Sequence, residues 1–300
     1  MDDVALRTEL EPLAGELLDR HLGTAREWFP HQLVPWDRGR AFEADDDWDP
    51  DDAHVGEAAR SALFVNLLTE DNLPYYTRTL SGLFGRDDAW GAWTRRWTAE
   101  EGRHAIVIRD YLTVTRAIDP VALERGRMTQ ISNGVVPEPP SLPDALVYVT
   151  LQELATRIAH QNTGKILEDK AGQRIMSRVA GDENLHYRFY RDIATRALEL
   201  EPTRMLDAMD RQVRDFAMPG TGIPDFPHHA RAIANAGVYD MAAHHDQILV
   251  PVLMKHWGVE RLQGLKAAGE QARERLLAHV DRVGRIGRRL LERRGLTPAL

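Results

Sequence analysis

Glu101-Gly-Arg-His104 and, further along the chain, Glu183-Asn-Leu-His186 decide how this sequence is read. On an α-helix each Glu-x-x-His sets a carboxylate and an imidazole about one turn apart on the same face, where a single metal ion can touch both. Working outward, each pair has a glutamate upstream: Glu70 lies 31 residues before Glu101, and Glu153 lies 30 residues before Glu183. Such similar spacings suit two helices joined by a short turn and meeting at one level. A lone Glu from each of two helices and a Glu-x-x-His from each of two others form the inward-facing ligand set of a four-helix-bundle di-iron or di-manganese site. One Glu-x-x-His is commonplace on a solvated helix face; the repeat of the whole pattern is what carries information. The expected metal ligands are therefore Glu70, Glu101, His104, Glu153, Glu183 and His186, and the expected chemistry is oxygen activation.

Composition narrows the alternatives. The 300 residues contain no cysteine, which excludes disulfides, thiolate metal sites, iron–sulfur clusters and cysteine nucleophiles. Oxygen and nitrogen ligands suit iron or manganese. With 43% hydrophobic residues and no low-complexity linker, the expectation is one all-helical domain over 1–300. Met1 to Arg20 is acidic and amphipathic, unlike a signal peptide. No apolar run nears the roughly twenty residues needed to cross a bilayer, so a cytoplasmic protein without membrane insertion is expected. The net charge is −8, but residues 41–58 hold eight acids and no Lys or Arg, while 261–300 hold ten basic and four acidic residues. Asp45-Asp46-Asp47 reads as a solvated loop, and the basic tail as a paired helix face or a dock for an acidic partner. Nucleic acid is a poor fit to this charge and to the lack of a recognition motif.

Apolar residues three and four apart mark long helices at 57–84, 89–118, 143–170 and 171–198, the four expected bundle helices and the core of the di-iron site. Gly82, Gly85 and Asp87 read as a turn, and Asn133-Gly134 with Pro137, Pro139, Pro140 and Pro143 as the crossover between two similar halves. Flanking helices are expected at about 202–217, 229–257 and 260–295, with a break at the Gly/Pro stretch 218–224. Leu63, Leu67, Trp97, Ile108, Val179 and Tyr190 should sheathe the ligands in hydrocarbon. Pro74 removes the hydrogen bond to the Glu70 carbonyl, which reads equally as a loosened ligand backbone or a simple kink. Of the other histidines, His160 reads as a hydrogen-bonded core residue, His228-His229 as a loop, and His244-His245 as lacking any glutamate at ligand spacing.

With these residues in view, the chain resembles the soluble acyl-carrier-protein desaturases, the family that includes the plant stearoyl desaturases. The resemblance runs from about His21 to Arg285. It rests on Thr69-Glu-Asp-Asn-Leu-Pro74, Trp93-Thr-Arg-Arg-Trp-Thr-Ala-Glu-Glu-Gly-Arg-His104, Gln152-Glu-Leu-Ala-Thr156 with His160-Gln-Asn-Thr163, Asp182-Glu-Asn-Leu-His186 and Gly237-Val-Tyr239. It implies a ferritin-like four-helix bundle with additional flanking helices. The implied activity removes two hydrogens from an acyl chain on acyl carrier protein, using two irons per subunit, dioxygen and electrons from ferredoxin. Manganese is a possible substitute metal, and a homodimer is expected by analogy. By position the resemblance makes the six residues above the iron ligands, with Glu101 and Glu183 bridging. Thr156 matches the family's threonine beside the oxygen pocket, and Asp182 and Trp28 match residues proposed to relay electrons through His104. Trp28 reads equally as a packed aromatic, and Asp182 as an acceptor that fixes the His104 ring.

The same chemistry follows from the substrate class, since an unactivated methylene offers no acidic proton and calls for a strong oxidant in a dry site. Two departures from the plant pattern stand out: Leu185 replaces an arginine and Gly102 an asparagine. They leave the ligands intact and bear on the redox partner. The plant enzymes' carboxy-terminal segment has no counterpart after Arg294. Two alternatives share the ligand set: another di-iron carboxylate oxidase or oxygenase, and a non-catalytic member that binds acyl carrier protein.

Overall fold

A computed structural model describes residues 1–43, 47–53, 55–216, 220 and 222–295. Among them there are helices and no strands. Helix α1 spans Asp3–Thr24, α2 Glu57–Glu70, α3 Leu73–Phe84, α4 Asp88–Val114 and α5 Pro120–Asn133. They are followed by α6 Leu142–Ile166, α7 Lys170–Leu200, α8 Pro202–Asp215 and α9 Phe226–Asn235. Helix α10 (Met241–Ala243) continues into a π-helical segment, His244–His256, and α11 spans Ala267–Arg293. Helices α2 with α3, α4, α6 and α7 form the bundle, α1 crosses α4 and α7, and α8, α9 and α11 lie outside.

Local chemistry sets the ends. Asp2, Asp119, Ser141 and Asp169 each accept a backbone N–H in the first turn of α1, α5, α6 and α7. Prolines at 74, 120, 143 and 202 occupy first turns, where the missing N–H has no partner to lose. Helix α5 stops at Gly134, whose φ of 60° is left-handed. A Cβ there would lie 2.7 Å from the Tyr75 ring, so both backbone and space call for glycine.

Four expectations need correction. The segment 57–84 is two helices: α2 ends on Glu70, and Pro74 begins α3 rather than kinking one long helix. Proline tolerates a first turn and breaks an interior one. The crossover contains α5, in which Leu123, Gly126 and Gln130 are buried. The helix expected at 229–257 is interrupted, because Gly237 takes φ of 69° and Asp240 caps a new helix through the N–H groups of Ala242 and Ala243. His228 and His229 lie in α9 rather than a loop. Asp45 and Asp46 of the acidic run, positions 218, 219 and 221 of the Gly/Pro stretch, and 296–300 of the basic tail lie outside the described residues.

The core comes in two halves. Trp90, Trp93 and Trp97 of α4 belong to one apolar cluster, and Val107, Ile108 and Tyr111 of the same helix to another. Helix α7 divides likewise, with Ile175, Met176 and Val179 in one cluster and Phe189, Tyr190 and Ile193 in the other. Between the halves, at one level in every bundle helix, lie Glu70, Glu101, His104, Glu153, Glu183 and His186, all buried. Each large apolar side chain buried on either side contributes about 1.5–3 kcal/mol. A polar belt is tolerated there only if its charges find partners.

Candidate metal centre

Each candidate ligand is placed by its own helix. Glu70 is the last residue of α2, and its neighbour Asp71 is held by Arg127 of α5 at 2.6 Å. Glu101 and His104 share a face of α4, Glu183 and His186 a face of α7, and Glu153 projects from the middle of α6. The side chains form two overlapping groups: Glu70, Glu101, His104 and Glu183, and Glu101, Glu153, Glu183 and His186. Within each group the nitrogen and oxygen atoms lie within 4.8 Å of one another. Glu101 and Glu183 belong to both, the geometry of carboxylates placed between two positions.

Both imidazoles turn Nδ1 inward. His104 Nδ1 lies 3.1 Å from Glu101 Oε2 and 3.2 Å from Glu183 Oε1. His186 Nδ1 lies 2.8 Å from Glu101 Oε1 and 3.6 Å from Glu153 Oε2. The outer nitrogens meet carboxylates in exchange: Glu100 of α4 bonds His186 Nε2 of α7 at 2.9 Å, and Asp182 of α7 faces His104 Nε2 of α4 at 3.5 Å. Such outer carboxylates fix ring orientation and make the inner nitrogen a better donor. Glu100 also pairs with His21 of α1 at 2.9 Å and with Arg96 at 2.5 Å.

The remaining neighbours are specific. Trp97 Nε1 donates to Glu153 Oε1 at 3.0 Å, and His160 Nε2 pairs with Glu70 Oε1 at 3.0 Å. Thr156 Oγ lies 3.0 Å from Glu183 Oε2, with the carbonyls of Gln152 and Glu153 at 3.2 and 3.1 Å competing for its proton. Trp28 Nε1 donates to Asp182 Oδ2 at 2.8 Å, as does Arg103 at 3.0 Å. The Arg103 guanidinium sits 4.8 Å from the Trp28 ring centroid. All three residues singled out beside the ligands, Thr156, Asp182 and Trp28, thus border the centre. Sequence reasoning missed Glu100, although its signal was present: an acid precedes Glu101 just as Asp182 precedes Glu183. His21, far away in sequence, gave no signal.

The electrostatics fit a cation pair. Burial pushes Glu70 and Glu153 well above the usual carboxylate range, and the negative charges of Glu101 and Glu183 push them further. Burial would raise Glu101 too, but His104 and His186 outweigh it and hold it low. The histidines are raised despite burial, His104 mainly by Glu101 and His186 by Glu100 and Glu101. Metal-free, the centre must keep protons between its carboxylates. Glu153 Oε2 is buried without a hydrogen bond, and His186 Nδ1, though 2.8 Å from Glu101 Oε1, lacks hydrogen-bond geometry to it, so both atoms face the gap that a cation would fill. Carboxylate and imidazole donors suit iron or manganese.

One side of the centre opens onto an apolar cavity of about 380 Å³. Glu70, Thr156 and His160 form its inner end, Phe226 and Ala234 its wall, and Arg294 its outer end. Arg294 is ion-paired there with Asp240 at 2.8 Å. Helix α9 and the π-helical segment therefore do more than buttress the bundle: they wall the approach to the ligands.

An all-helical bundle with flanking helices and a buried belt of four glutamates and two histidines, in groups able to hold metal, defines a ferritin-like carboxylate–histidine protein. The chain belongs to the fatty acid desaturase family, whose model matches residues 2–299. It is 41% identical over 286 residues to DesA1 of Mycobacterium tuberculosis, provisionally named an acyl-[acyl-carrier-protein] desaturase; the match covers 92% of this chain and 84% of DesA1. The chloroplastic stearoyl-[acyl-carrier-protein] 9-desaturase of Gossypium hirsutum is 31% identical, with 89% of this chain and 69% of that protein covered. The X-ray structure of Mycobacterium tuberculosis DesA2 superimposes with a TM-score of 0.72 at 28% identity, covering 89% of this chain and 99% of DesA2.

Proposed function

We propose that this chain is a di-iron acyl-acyl-carrier-protein desaturase that uses dioxygen to remove two hydrogens from the bound acyl chain. The observation that carries the reading is the pair of ligand groups sharing Glu101 and Glu183 and facing an apolar cavity at Glu70 and Thr156. Glu70, Glu101, His104 and Glu183 would hold one metal, and Glu101, Glu153, Glu183 and His186 the other. Bound iron supplies electrons to dioxygen and the oxidising power that an unactivated methylene demands.

The chain's own residues do the rest. Phe226, Ala234 and their neighbours receive the acyl tail and exclude water from the centre. Thr156, on the cavity wall and within hydrogen-bond reach of Glu183, is placed to hold a proton between the cavity and the ligands. Asp182 orients His104 and, with Trp28 and Arg103, forms a polar link from His104 toward the surface. Arg103 and Arg178 stack on Trp28, which gives that face a positive charge suited to an acidic ferredoxin-like donor. The acyl carrier protein remains outside the cavity. A homodimeric, cytoplasmic enzyme completes the reading; no helix among the described residues is long and apolar enough to cross a membrane.

The test is mass spectrometry of acyl carrier proteins of several chain lengths after incubation with the reduced, iron-loaded protein and oxygen. Loss of two hydrogens from one acyl species is expected. Oxygen insertion would favour another di-iron oxygenase. Binding of the carrier without any mass change would favour a non-catalytic member.

A further inference from the structure

The bundle carries a second aromatic route, separate from Trp28. Trp90, Trp93 and Trp97 stand three and four residues apart on α4, so they share a face with the ligands that follow. Trp93 is fully buried, its ring centroid 6.1 Å from His186 and edge-on to it. On its other side Trp93 stacks on Phe189 at 3.6 Å, and Phe189 lies 6.5 Å from Trp90. Trp90 in turn lines a surface hollow of about 480 Å³ with Arg7, Glu11, Arg86, Asp87 and Asp88. The chain of rings thus runs from a candidate ligand to the wall of a surface hollow.

We propose that Trp93 and Trp90 are a one-electron outlet that discharges the centre when oxygen reacts with no acyl chain bound, a proposal resting on the di-iron reading above. The need follows from electron counting. Dioxygen takes four electrons and four protons to become two waters. A reduced iron pair gives two electrons, and in desaturation the acyl chain gives the other two with its hydrogens. Without an acyl chain two electrons are missing, and a strong oxidant is left among oxidisable side chains. Trp93 supplies one electron at a time, Trp90 refills Trp93, and a small soluble one-electron reductant that fits the hollow, of which ascorbate is the probe, refills Trp90. That reductant is oxidised by one electron per passage, solvent provides the protons, and no bond to carbon forms or breaks.

The indole protons stay in place along this route. Trp93 Nε1 is buried against the Tyr190 hydroxyl, which is not a base, and Trp90 Nε1 donates at 3.2 Å to the carbonyl of Arg7, which is not one either. An oxidised indole that cannot shed its proton returns to its starting state when an electron arrives, so the route is reusable.

The test mixes the reduced, iron-loaded full chain with oxygen in the absence of acyl substrate and freezes it rapidly for electron paramagnetic resonance. An indole radical is expected in the unaltered protein, quenched by added ascorbate. Trp93→Phe should lose the radical while keeping its iron content and ferric absorption, and peptide mass spectrometry should find more oxygen added to Trp97 and Tyr190. Trp90→Phe should keep the radical but lose the quenching by ascorbate. Oxygen uptake with no radical, or an unchanged radical in Trp93→Phe, overturns the outlet and leaves the proposed activity standing. A protein that takes up neither iron nor oxygen overturns the activity, and the outlet with it.

Discussion

Replacing Glu100 with glutamine should weaken metal binding although Glu100 touches no metal position. Its carboxylate accepts from His186 and His21, each at 2.9 Å, inside a buried network. Burial alone would raise its pKa, yet the hydrogen bonds from those two histidines hold it well below the usual carboxylate range. Each such charge-assisted bond is worth about 1.5–3 kcal/mol. Both rings meet the same oxygen, Oε2, while Oε1 faces Arg96 at 2.5 Å. A glutamine with its oxygen at the Oε2 place still accepts from both rings, but without charge, and its amide then confronts the Arg96 guanidinium, donor against donor. Two charge-assisted bonds become neutral ones and the Arg96 pair is lost, which predicts about 2–4 kcal/mol lower stability for the metal-free variant, and a less basic His186 Nδ1 predicts metal affinity about 10–100-fold weaker. Chelator competition and denaturant unfolding followed by circular dichroism measure the two quantities. Because the native pKa of Glu100 is depressed, its contribution is present above about pH 4.3 and is lost as pH falls through the native value; the gap between the two proteins should close in acid. Equal metal affinity and equal unfolding midpoints at neutral pH would refute the argument that Glu100 sets the His186 ring.

Four further outcomes are expected. Because His104 and His186 hold protons more tightly than free histidine, and Glu70 and Glu153 more tightly than free glutamate, metal uptake should release protons and tighten as pH rises; a pH-stat titration checks this. In the metal-free protein the histidines' stabilising share is fully present below about pH 6.5 and fades as pH rises through their raised native values, visible in unfolding midpoints. Thr156→Val, nearly isosteric, should keep iron content but slow turnover by about 10–100-fold if the hydroxyl carries a proton, measured by single-turnover product formation. Ala234→Phe should fill part of the cavity and select against long acyl chains while leaving the ferric spectrum unchanged, which competition between acyl lengths would show.

Much of the bundle was legible because Glu-x-x-His has a helical period and its duplication fixed four helices to one level. Glu70, Glu101, His104, Glu153, Glu183 and His186 come together from sequence positions more than a hundred residues apart, as that period requires. The interruptions were harder to read. Pro74 suits both a kink and a first turn, and only the burial of Asp71 and Asn72 between α2 and α3 decides for the turn. The partner of Glu100 was out of reach, since nothing local ties it to His21 or assigns it to the opposite helix's histidine. So was the cavity, which is walled by α2, α6, α9 and α11 and so exists only in the folded chain.

The division of the core has a thermodynamic reach beyond catalysis. Leu6, Leu10 and Trp90 on one side, and Leu63, Ile108 and Ile175 on the other, belong to separate apolar clusters with the ligand belt between them. Truncations made one in each half should be nearly additive in their effect on stability. Their coupling then passes through whatever fills the belt: loosely when it holds shared protons, firmly when cations rivet four helices at once. Loading with metal should therefore merge two separately fraying blocks into one cooperative unit, seen as amide exchange slowing at both ends of the bundle together.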